Sequence, residues 1–124
     1  MGVAVVLVVE DEWLVRMEIA EALDARGWNV VEASTGEAAI ALLAGNSPID
    51  LVVTDVRLPG AVSGWEVAEA FRAANSEVAV IYCSGNSTNS ARQVSGSVFL
   101  TKPFRTEALL AAGERLCPGQ LPRR

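Results

Sequence analysis

Apolar runs and amphipathic segments alternate along this chain. Four runs rich in valine, isoleucine and leucine predict buried strands, and a shorter run predicts a fifth. In chain order these strands are Val3–Val9, Trp28–Ala33, Ile49–Thr54, Val78–Cys83 and Val98–Thr101. Strands of a parallel sheet show such runs because helices cover both faces of the sheet and neither side of a strand meets water. Strands that alternate with helices predict an α/β fold with one doubly wound sheet.

The segments between the strands have apolar residues at helical spacing and the usual boundary residues. We expect helices at Glu12–Arg26, at Thr35–Ala44, from Ser63 to about Ala74, and at Thr106–Leu116. Ser34-Thr35-Gly36-Glu37 and Ser63-Gly64-Trp65-Glu66 have the form of capping boxes, in which a hydroxyl and a carboxylate bind the free N–H groups of a helix start. Gly27 and Gly45 stand where the first two helices should end.

The pattern weakens between the fourth and fifth strands. Gly85–Ser97 is rich in serine, asparagine and glycine, and Ala91 and Val94 supply most of its apolar surface. This composition has a low helix propensity. We therefore expect the helix before the last strand to be short, irregular or absent.

Composition narrows the classes of function. The chain has 124 residues, of which 51% are hydrophobic, so we expect a single domain over residues 1–124, with 118–124 as a flexible tail. The net charge of -5 argues against nucleic-acid binding, which needs a basic surface. Histidine is absent, which excludes histidine ligands and a phosphohistidine in this chain.

The cysteines and the lack of a recognisable targeting segment bear on the compartment of the protein. Cys83 and Cys117 have neither metal-site nor disulfide spacing, and we recognise no targeting or membrane segment. We therefore expect a cytoplasmic protein.

Polar side chains follow the ends of four predicted strands. Glu10 and Asp11 follow the first strand, Asp55 the third, Ser84 the fourth and Lys102 the fifth. Open α/β sheets bind ligands beyond the carboxyl ends of their strands. Mg²⁺ prefers carboxylate oxygens together with water and phosphate. The pattern therefore predicts a site for one divalent cation and one phosphoryl group, in which Asp11 and Asp55 bind the cation directly and Glu10 binds it through water.

Each of these features has a simpler interpretation when it is taken alone. Glu10-Asp11-Glu12 would be a solvated acidic loop, Asp55 a cap after a strand, and Ser84-Gly85 an ordinary turn. Lys102 could extend its ammonium group into water. Burial of an unpaired ammonium is costly, however, and a nearby carboxylate cluster would explain its position. The occurrence of all four features at matching strand ends favours the joint site.

The joint pattern resembles the receiver domain of two-component response regulators. The resemblance covers nearly the whole chain. The segments that carry it are Val8-Val9-Glu10-Asp11-Glu12, Thr54–Gly60 with Gly64-Trp65-Glu66, Cys83-Ser84-Gly85, and Lys102-Pro103-Phe104. The resemblance implies a stand-alone receiver with a flavodoxin-like fold. That fold has five parallel strands in the order 2-1-3-4-5 and five surrounding helices.

The resemblance also implies a chemical role for the acidic residues. Asp55 would accept a phosphoryl group from a phosphohistidine on a sensor histidine kinase or a histidine phosphotransfer protein. A carboxylate can act as such a nucleophile, and phosphoryl transfer depends mainly on positioning and charge neutralisation. The implied Mg²⁺ ligands are Glu10, Asp11, Asp55 and the backbone carbonyl of Arg57.

Four further residues have implied roles in binding the phosphoryl group and in the response to it. Lys102 and Ser84 would contact phosphoryl oxygens, and the Ser84 loop would move inward. Phe99 would repack with that movement, which would change a surface that binds an effector protein. The Lys102–Pro103 peptide bond would be cis.

The sequence departs from the common receiver pattern at three places. The interval from Asp55 to Gly64 is one residue longer, and the interval from Ser84 to Phe99 is several residues shorter. Arg57 stands where many receivers have methionine or asparagine. It could pair with an acidic group, contact the phosphoryl group or extend into water, and we favour water. The short interval puts the usual output surface in doubt.

Two other functions compete with a receiver that switches an effector. One is a phosphate sink or relay intermediate that has no effector of its own. The other is an aspartyl-nucleophile phosphatase of the haloacid dehalogenase type, which carries a second aspartate two residues after the first. Arg57 occupies that position here, so we expect a phosphoacceptor and not an enzyme. A nucleotide-binding loop is excluded because Glu10-Asp11-Glu12 would repel phosphates.

Overall fold

Five parallel strands form the centre of the protein. The structure is a computed structural model that describes residues 4–45, 48–85 and 90–117. Its strands are β1 (Val5–Val9), β2 (Asn29–Ala33), β3 (Leu51–Asp55), β4 (Ala79–Ser84) and β5 (Val98–Thr101). They pair in the order β2-β1-β3-β4-β5, which confirms the predicted fold class. The predicted tail at 118–124 lies outside the described residues.

Helices cover both faces of this sheet, as the apolar runs predict. They are α1 (Trp13–Ala25), α2 (Gly36–Ala41), α3 (Gly64–Ala74) and α4 (Thr106–Leu116), and a 3₁₀ turn at Leu42–Ala44 continues α2. The core on the α1 and α4 face includes Leu23, Trp28 and Leu109. The core on the α2 and α3 face includes Trp65 and Phe71.

Strand residues alternate between these two cores. Val6 and Val8 join the α1 and α4 side, whereas Leu7 and Val9 join the α2 and α3 side. Both sets are buried because the sheet has helices on each face. Cys83 is a buried member of the core on the α1 and α4 face, and burial raises the pKa of its thiol to about 12.

The helix starts confirm one predicted capping box and correct the other. At α3, the Ser63 hydroxyl accepts from the Glu66 N–H and the Glu66 carboxylate accepts from the Ser63 N–H, so this box is present in full. At α2 the cap is Thr35, whose hydroxyl accepts from the Ala38 N–H, and the predicted box beginning at Ser34 is wrong. Glu37 is used elsewhere: its carboxylate accepts from the Ala61 N–H at 2.9 Å.

The helix predicted to be weak between β4 and β5 is replaced by a 3₁₀ turn at Ser90–Arg92. Four α-helices are therefore present in the described part of the chain, where the resemblance implied five. Two polar contacts between described residues join this segment to β4 and α3. The Val94 N–H donates to the Tyr82 hydroxyl at 3.0 Å, and the Arg92 guanidinium lies 2.8 Å from a carboxylate oxygen of Glu69 on α3. The predicted segment 86–89 lies outside the described residues.

Candidate phosphoryl and metal site

The carboxyl ends of four strands bring the predicted polar residues to one edge of the sheet. Glu10 directly follows β1, Asp55 and Ser84 are the last residues of β3 and β4, and Lys102 directly follows β5. The sheet register aligns these ends, since Ser84 pairs with Thr101. The Lys102 N–H continues this pairing and donates to the Ser84 carbonyl at 2.7 Å.

Three carboxylates meet at this edge. One oxygen from each of Glu10, Asp11 and Asp55 lies within 4.8 Å of the others. Glu10 is almost fully buried at 2% exposure, Asp55 is partly buried, and Asp11 is exposed to solvent. Three clustered oxygen ligands with one open side suit a hard divalent cation that keeps some of its water. The donor set therefore fits Mg²⁺.

Burial governs the electrostatics of Glu10. Desolvation raises the pKa of Glu10 above its ordinary value, although a hydrogen bond from Lys102 and one from the Glu12 N–H oppose that rise. The Glu12 N–H donates to one carboxylate oxygen at 3.2 Å. The second oxygen accepts from the Lys102 ammonium. Both oxygens of this buried side chain are thus held in place.

Lys102 places a positive charge directly beside two of the carboxylates. Its Nζ atom lies 2.9 Å from a Glu10 oxygen and 3.3 Å from an Asp55 oxygen. Burial alone would lower the pKa of Lys102, but the hydrogen bond to Glu10 and the charges of Asp55 and Glu10 together raise it. Lys102 therefore contacts two carboxylates, and the simpler interpretation of an ammonium group in water is wrong.

An open cleft of about 230 Å³ lies over Asp55, and Arg57, Ser84, Gly85 and Lys102 line the rest of it. Ser84 is buried, whereas Arg57 is exposed at the rim. The cleft thus joins a carboxylate, an ammonium group and a hydroxyl, which can accept, neutralise and hydrogen-bond a phosphoryl group. The Lys102–Pro103 peptide bond beside it is cis.

Gly64 allows α3 to begin directly behind Asp55. A Cβ atom at Gly64 would collide with the carbonyl oxygen of Asp55, and the Gly64 N–H donates to the Val56 carbonyl at 2.9 Å. A glycine is required by this close approach. The spacing between Asp55 and Gly64 therefore determines the shape of the loop beside the cleft.

Phe99 belongs to a cluster of three aromatic rings. Its ring centroid lies 6.3 Å from those of Trp65 and Tyr82, and these two lie 4.8 Å from each other. Tyr82 and Phe99 are register partners on β4 and β5, and Tyr82 precedes Ser84 by two residues. Tyr82 is not among the residues predicted for the site. The signal that could have identified it is its position two residues before Ser84, which places both residues on the same face of one strand.

Two other residues near the site were missed. Glu37 binds the backbone of the loop that follows Asp55, through the Ala61 N–H, which holds the pKa of Glu37 below its ordinary value. Arg16 on α1 donates to the Glu10 carbonyl at 2.8 Å. A polar residue on an amphipathic helix is expected to face water, so the sequence offers no signal for the contact made by Arg16.

The family model of the response regulator receiver domain matches residues 6–114. The transcriptional regulatory protein PdtaR of Mycobacterium tuberculosis is 35% identical over 113 residues, which are 88% of this chain and 54% of that protein. The chain thus spans about half the length of the curated relatives it matches.

Solved structures are similar over nearly the whole chain. A response regulator receiver protein from Sinorhizobium medicae superimposes with a TM-score of 0.90 at 29% identity, covering 95% of this chain and 97% of that one. The response regulator TrrA from Thermotoga maritima, solved in complex with Mg²⁺ and BeF, gives a TM-score of 0.78 at 29% identity, covering 91% and 98%. Among the described residues, no helix has the length and apolar character needed to cross a membrane.

Proposed function

This chain belongs to the response regulator receiver family, and we propose that it is the phosphoacceptor of a two-component phosphorelay with Asp55 as the phosphorylated residue. The observation that carries the proposal is the position of Asp55. Its carboxylate lies at the end of the central strand β3, within 4.8 Å of two other carboxylates and 3.3 Å from an ammonium group. Glu10 also contacts the ammonium group, but its carboxylate is almost fully buried, whereas Asp55 lines the open cleft together with Ser84 and Lys102.

The proposed reaction is a transfer from a phosphohistidine of a sensor kinase or histidine phosphotransfer protein. An Asp55 oxygen forms a bond to phosphorus while the bond from phosphorus to the histidine nitrogen breaks. The nitrogen keeps the electron pair of that bond and later takes up a proton from water. Asp55 then carries an acyl phosphate, a known type of covalent intermediate.

Glu10, Asp11, Asp55 and the Arg57 backbone carbonyl would hold Mg²⁺ in this proposal. The bound cation would neutralise the charge of the carboxylates and of the incoming phosphoryl oxygens. Support comes from the oxygen-rich cluster itself and from the Mg²⁺ and BeF complex of TrrA, a protein of the same fold. The chain's own task is to keep three oxygens close together and open on one side.

Lys102 and Ser84 would bind the transferred group. The Lys102 ammonium already lies 3.3 Å from Asp55, so it can contact a phosphoryl oxygen after a small shift, as a point charge. The Ser84 hydroxyl, across the same cleft, would donate to a second oxygen. An inward movement of Ser84 would shift β4 and with it the Tyr82 and Phe99 rings, which are register partners.

The output of this switch would be a protein contact. Phosphorylation adds negative charge and acceptor oxygens at one point, and the packed aromatic cluster would carry the change to the surface near Phe99. We further propose that the protein acts in the cytoplasm, where Cys83 and Cys117 remain thiols. A phosphate sink or relay intermediate would use the same chemistry and differ only in having no effector.

Phosphotransfer profiling tests the proposal. Purified wild-type protein and an Asp55→Asn variant are mixed with phosphorylated histidine kinases and phosphotransfer proteins from the same source, in Mg²⁺ and in EDTA. Label should reach the wild type from at least one donor, only in Mg²⁺, and should not reach the variant. A wild type that takes label equally well in EDTA, or a variant that is labelled as fast as the wild type, would overturn it. Turnover of small phosphate esters would instead favour a phosphatase.

A further inference from the structure

Arg16 connects α1 to the acidic end of β1 and to β2. Its Nη1 atom donates to the backbone carbonyl of Glu10 at 2.8 Å, and its Nε atom donates to a carboxylate oxygen of Glu32 at 3.0 Å. The Arg16 side chain is 20% exposed.

We propose that Arg16 is a positioning residue for the metal site, an inference that rests on the proposed function. Glu10 is held at four points, by the Ala33 carbonyl that accepts from its N–H, by Arg16 at its carbonyl, and by Glu12 and Lys102 at its two carboxylate oxygens. Arg16 fixes the backbone carbonyl of Glu10, where the chain leaves β1. It therefore determines where the carboxylates of this segment stand relative to Asp55.

The atoms that Arg16 uses make it compatible with a bound cation. It binds the backbone carbonyl and leaves the carboxylate oxygens of Glu10 and Asp11 available to a metal. Lys102 differs, because its ammonium group contacts the Glu10 and Asp55 carboxylates themselves and must share them with the cation. Arg16 thus holds the Glu10 backbone without occupying a carboxylate oxygen of Glu10.

Arginine suits this place better than lysine. Its planar guanidinium presents several donors in a fixed arrangement, and two of them bind the Glu10 carbonyl and Glu32 at once. An ammonium group is a single point that cannot hold both partners in the same geometry. Glu32, an exposed residue of β2, holds the guanidinium in place as outer hydrogen-bond partners do around metal sites.

The test measures binding of Mg²⁺ alone by calorimetry, together with thermal unfolding. The variants are Arg16→Met, Arg16→Lys and Glu32→Gln. The matched control is Arg26→Met, because Arg26 also lies beside α1 and pairs with an acidic residue, Glu114 on α4, far from the site. Arg16→Met should weaken Mg²⁺ affinity on the order of tenfold, with smaller losses for Arg16→Lys and Glu32→Gln. Arg26→Met should stay within about twofold of wild type.

A second readout separates positioning from general stability. Phosphorylation by acetyl phosphate in Arg16→Lys should need more Mg²⁺ to reach half of its maximal rate, while the rate at saturating Mg²⁺ stays close to that of wild type. Equal Mg²⁺ affinity in Arg16→Lys, Glu32→Gln and wild type would overturn the inference, even if Arg16→Met fails to fold. A wild type that binds no Mg²⁺ would overturn the proposed metal site as well. If only the role of Arg16 is wrong, the wild type still binds Mg²⁺ and the variants bind it with the same affinity.

Discussion

The Lys102 ammonium lies 2.9 Å from a carboxylate oxygen of Glu10, across the edge of the sheet from β5 to β1. The contact joins residues at the ends of two strands that are separated by β3 and β4 in the sheet. It places a cation within reach of the central carboxylate of Asp55, at 3.3 Å. The site therefore contains its own counter-ion before any metal or phosphoryl group arrives.

Lys102→Ala should lower the melting temperature in the absence of metal and enlarge the rise produced by millimolar Mg²⁺. Removal of the ammonium leaves the carboxylates of Glu10 and Asp55 to repel each other, and a cation that binds only the folded state then restores more stability. Differential scanning calorimetry with and without Mg²⁺ measures both effects. Arg105→Ala, an exposed change in the same loop, is the control. A smaller Mg²⁺ response in Lys102→Ala than in wild type would contradict this account.

Asp11→Ala should raise the melting temperature without metal and abolish most of the response to Mg²⁺. Asp11 is exposed, so its removal leaves no cavity. It does relieve repulsion among three clustered carboxylates while removing a metal ligand. The measurement is thermal unfolding over a Mg²⁺ titration. If the variant keeps the full Mg²⁺ response, these carboxylates form only a solvated loop.

The burial of Glu10 predicts that the stability of the metal-free protein depends on pH. Burial raises the pKa of Glu10 in the folded state above its ordinary value of 4.5. Below pH 4.5 the Glu10 carboxyl group is protonated in both the folded and the unfolded state. As the pH rises above 4.5, the unfolded chain loses this proton before the folded protein does. The contribution of Glu10 to stability is therefore present at low pH and is lost as the pH rises through the folded pKa.

Denaturant unfolding of wild type and Glu10→Gln between pH 4 and neutrality measures this loss. The free energy of unfolding of wild type should fall relative to that of the variant as the pH rises. A wild type that gains stability relative to Glu10→Gln over this range would show that the pairing with Lys102 outweighs burial.

Tyr82→Phe should loosen the segment that replaces the fourth helix. The change removes the hydroxyl that accepts from the Val94 N–H at 3.0 Å and keeps the buried ring. Loss of one such hydrogen bond costs about 1 kcal/mol, so the fold should remain. Hydrogen exchange should accelerate around Val94 and stay unchanged in β1 and β3. Equal protection of Val94 in the two proteins would show that other contacts hold the segment.

Hydrogen exchange also tests whether residues 90–97 respond to phosphorylation. A beryllofluoride phosphate mimic with Mg²⁺ should increase protection of residues 90–97 and of the Phe99 strand in wild type. The increase should be smaller in Tyr82→Phe, because the hydroxyl links β4 to the segment. Strong protection in the free protein that the mimic leaves unchanged would place the output on another face.

The strands and most helix ends were predictable because their signals are local. β5 and α4 have the predicted bounds, and the Ser63 box is present in full. The start of α2 was not predictable, since Ser34 and Thr35 are both good caps. In the structure Thr35 is the cap, and Glu37 instead binds the Ala61 N–H of a loop distant in sequence, a contact that local signals do not encode.

The members of the site were predictable, but several of their contacts were not. Parallel strands bring their carboxyl ends to one edge, so the grouping of Glu10, Asp55 and Lys102 follows from the strand pattern. The contact of Arg16 with the Glu10 carbonyl depends on how α1 packs against β1 and β2. Hydrophobic patterning carries no information about which polar residue of a helix turns back toward the sheet.

The most direct test of the central claim is the site of phosphorylation by acetyl phosphate in Mg²⁺, read by intact mass and peptide mapping. The matched pair is Asp55→Asn and Asp50→Asn. Asp50 lies just before β3, at its opposite end, where its carboxylate accepts from the Val5 N–H. Wild type and Asp50→Asn should each gain one phosphoryl group, located at Asp55 in the peptide map, and Asp55→Asn should gain none. An unchanged mass gain in Asp55→Asn would contradict the assignment of Asp55 as the phosphoacceptor.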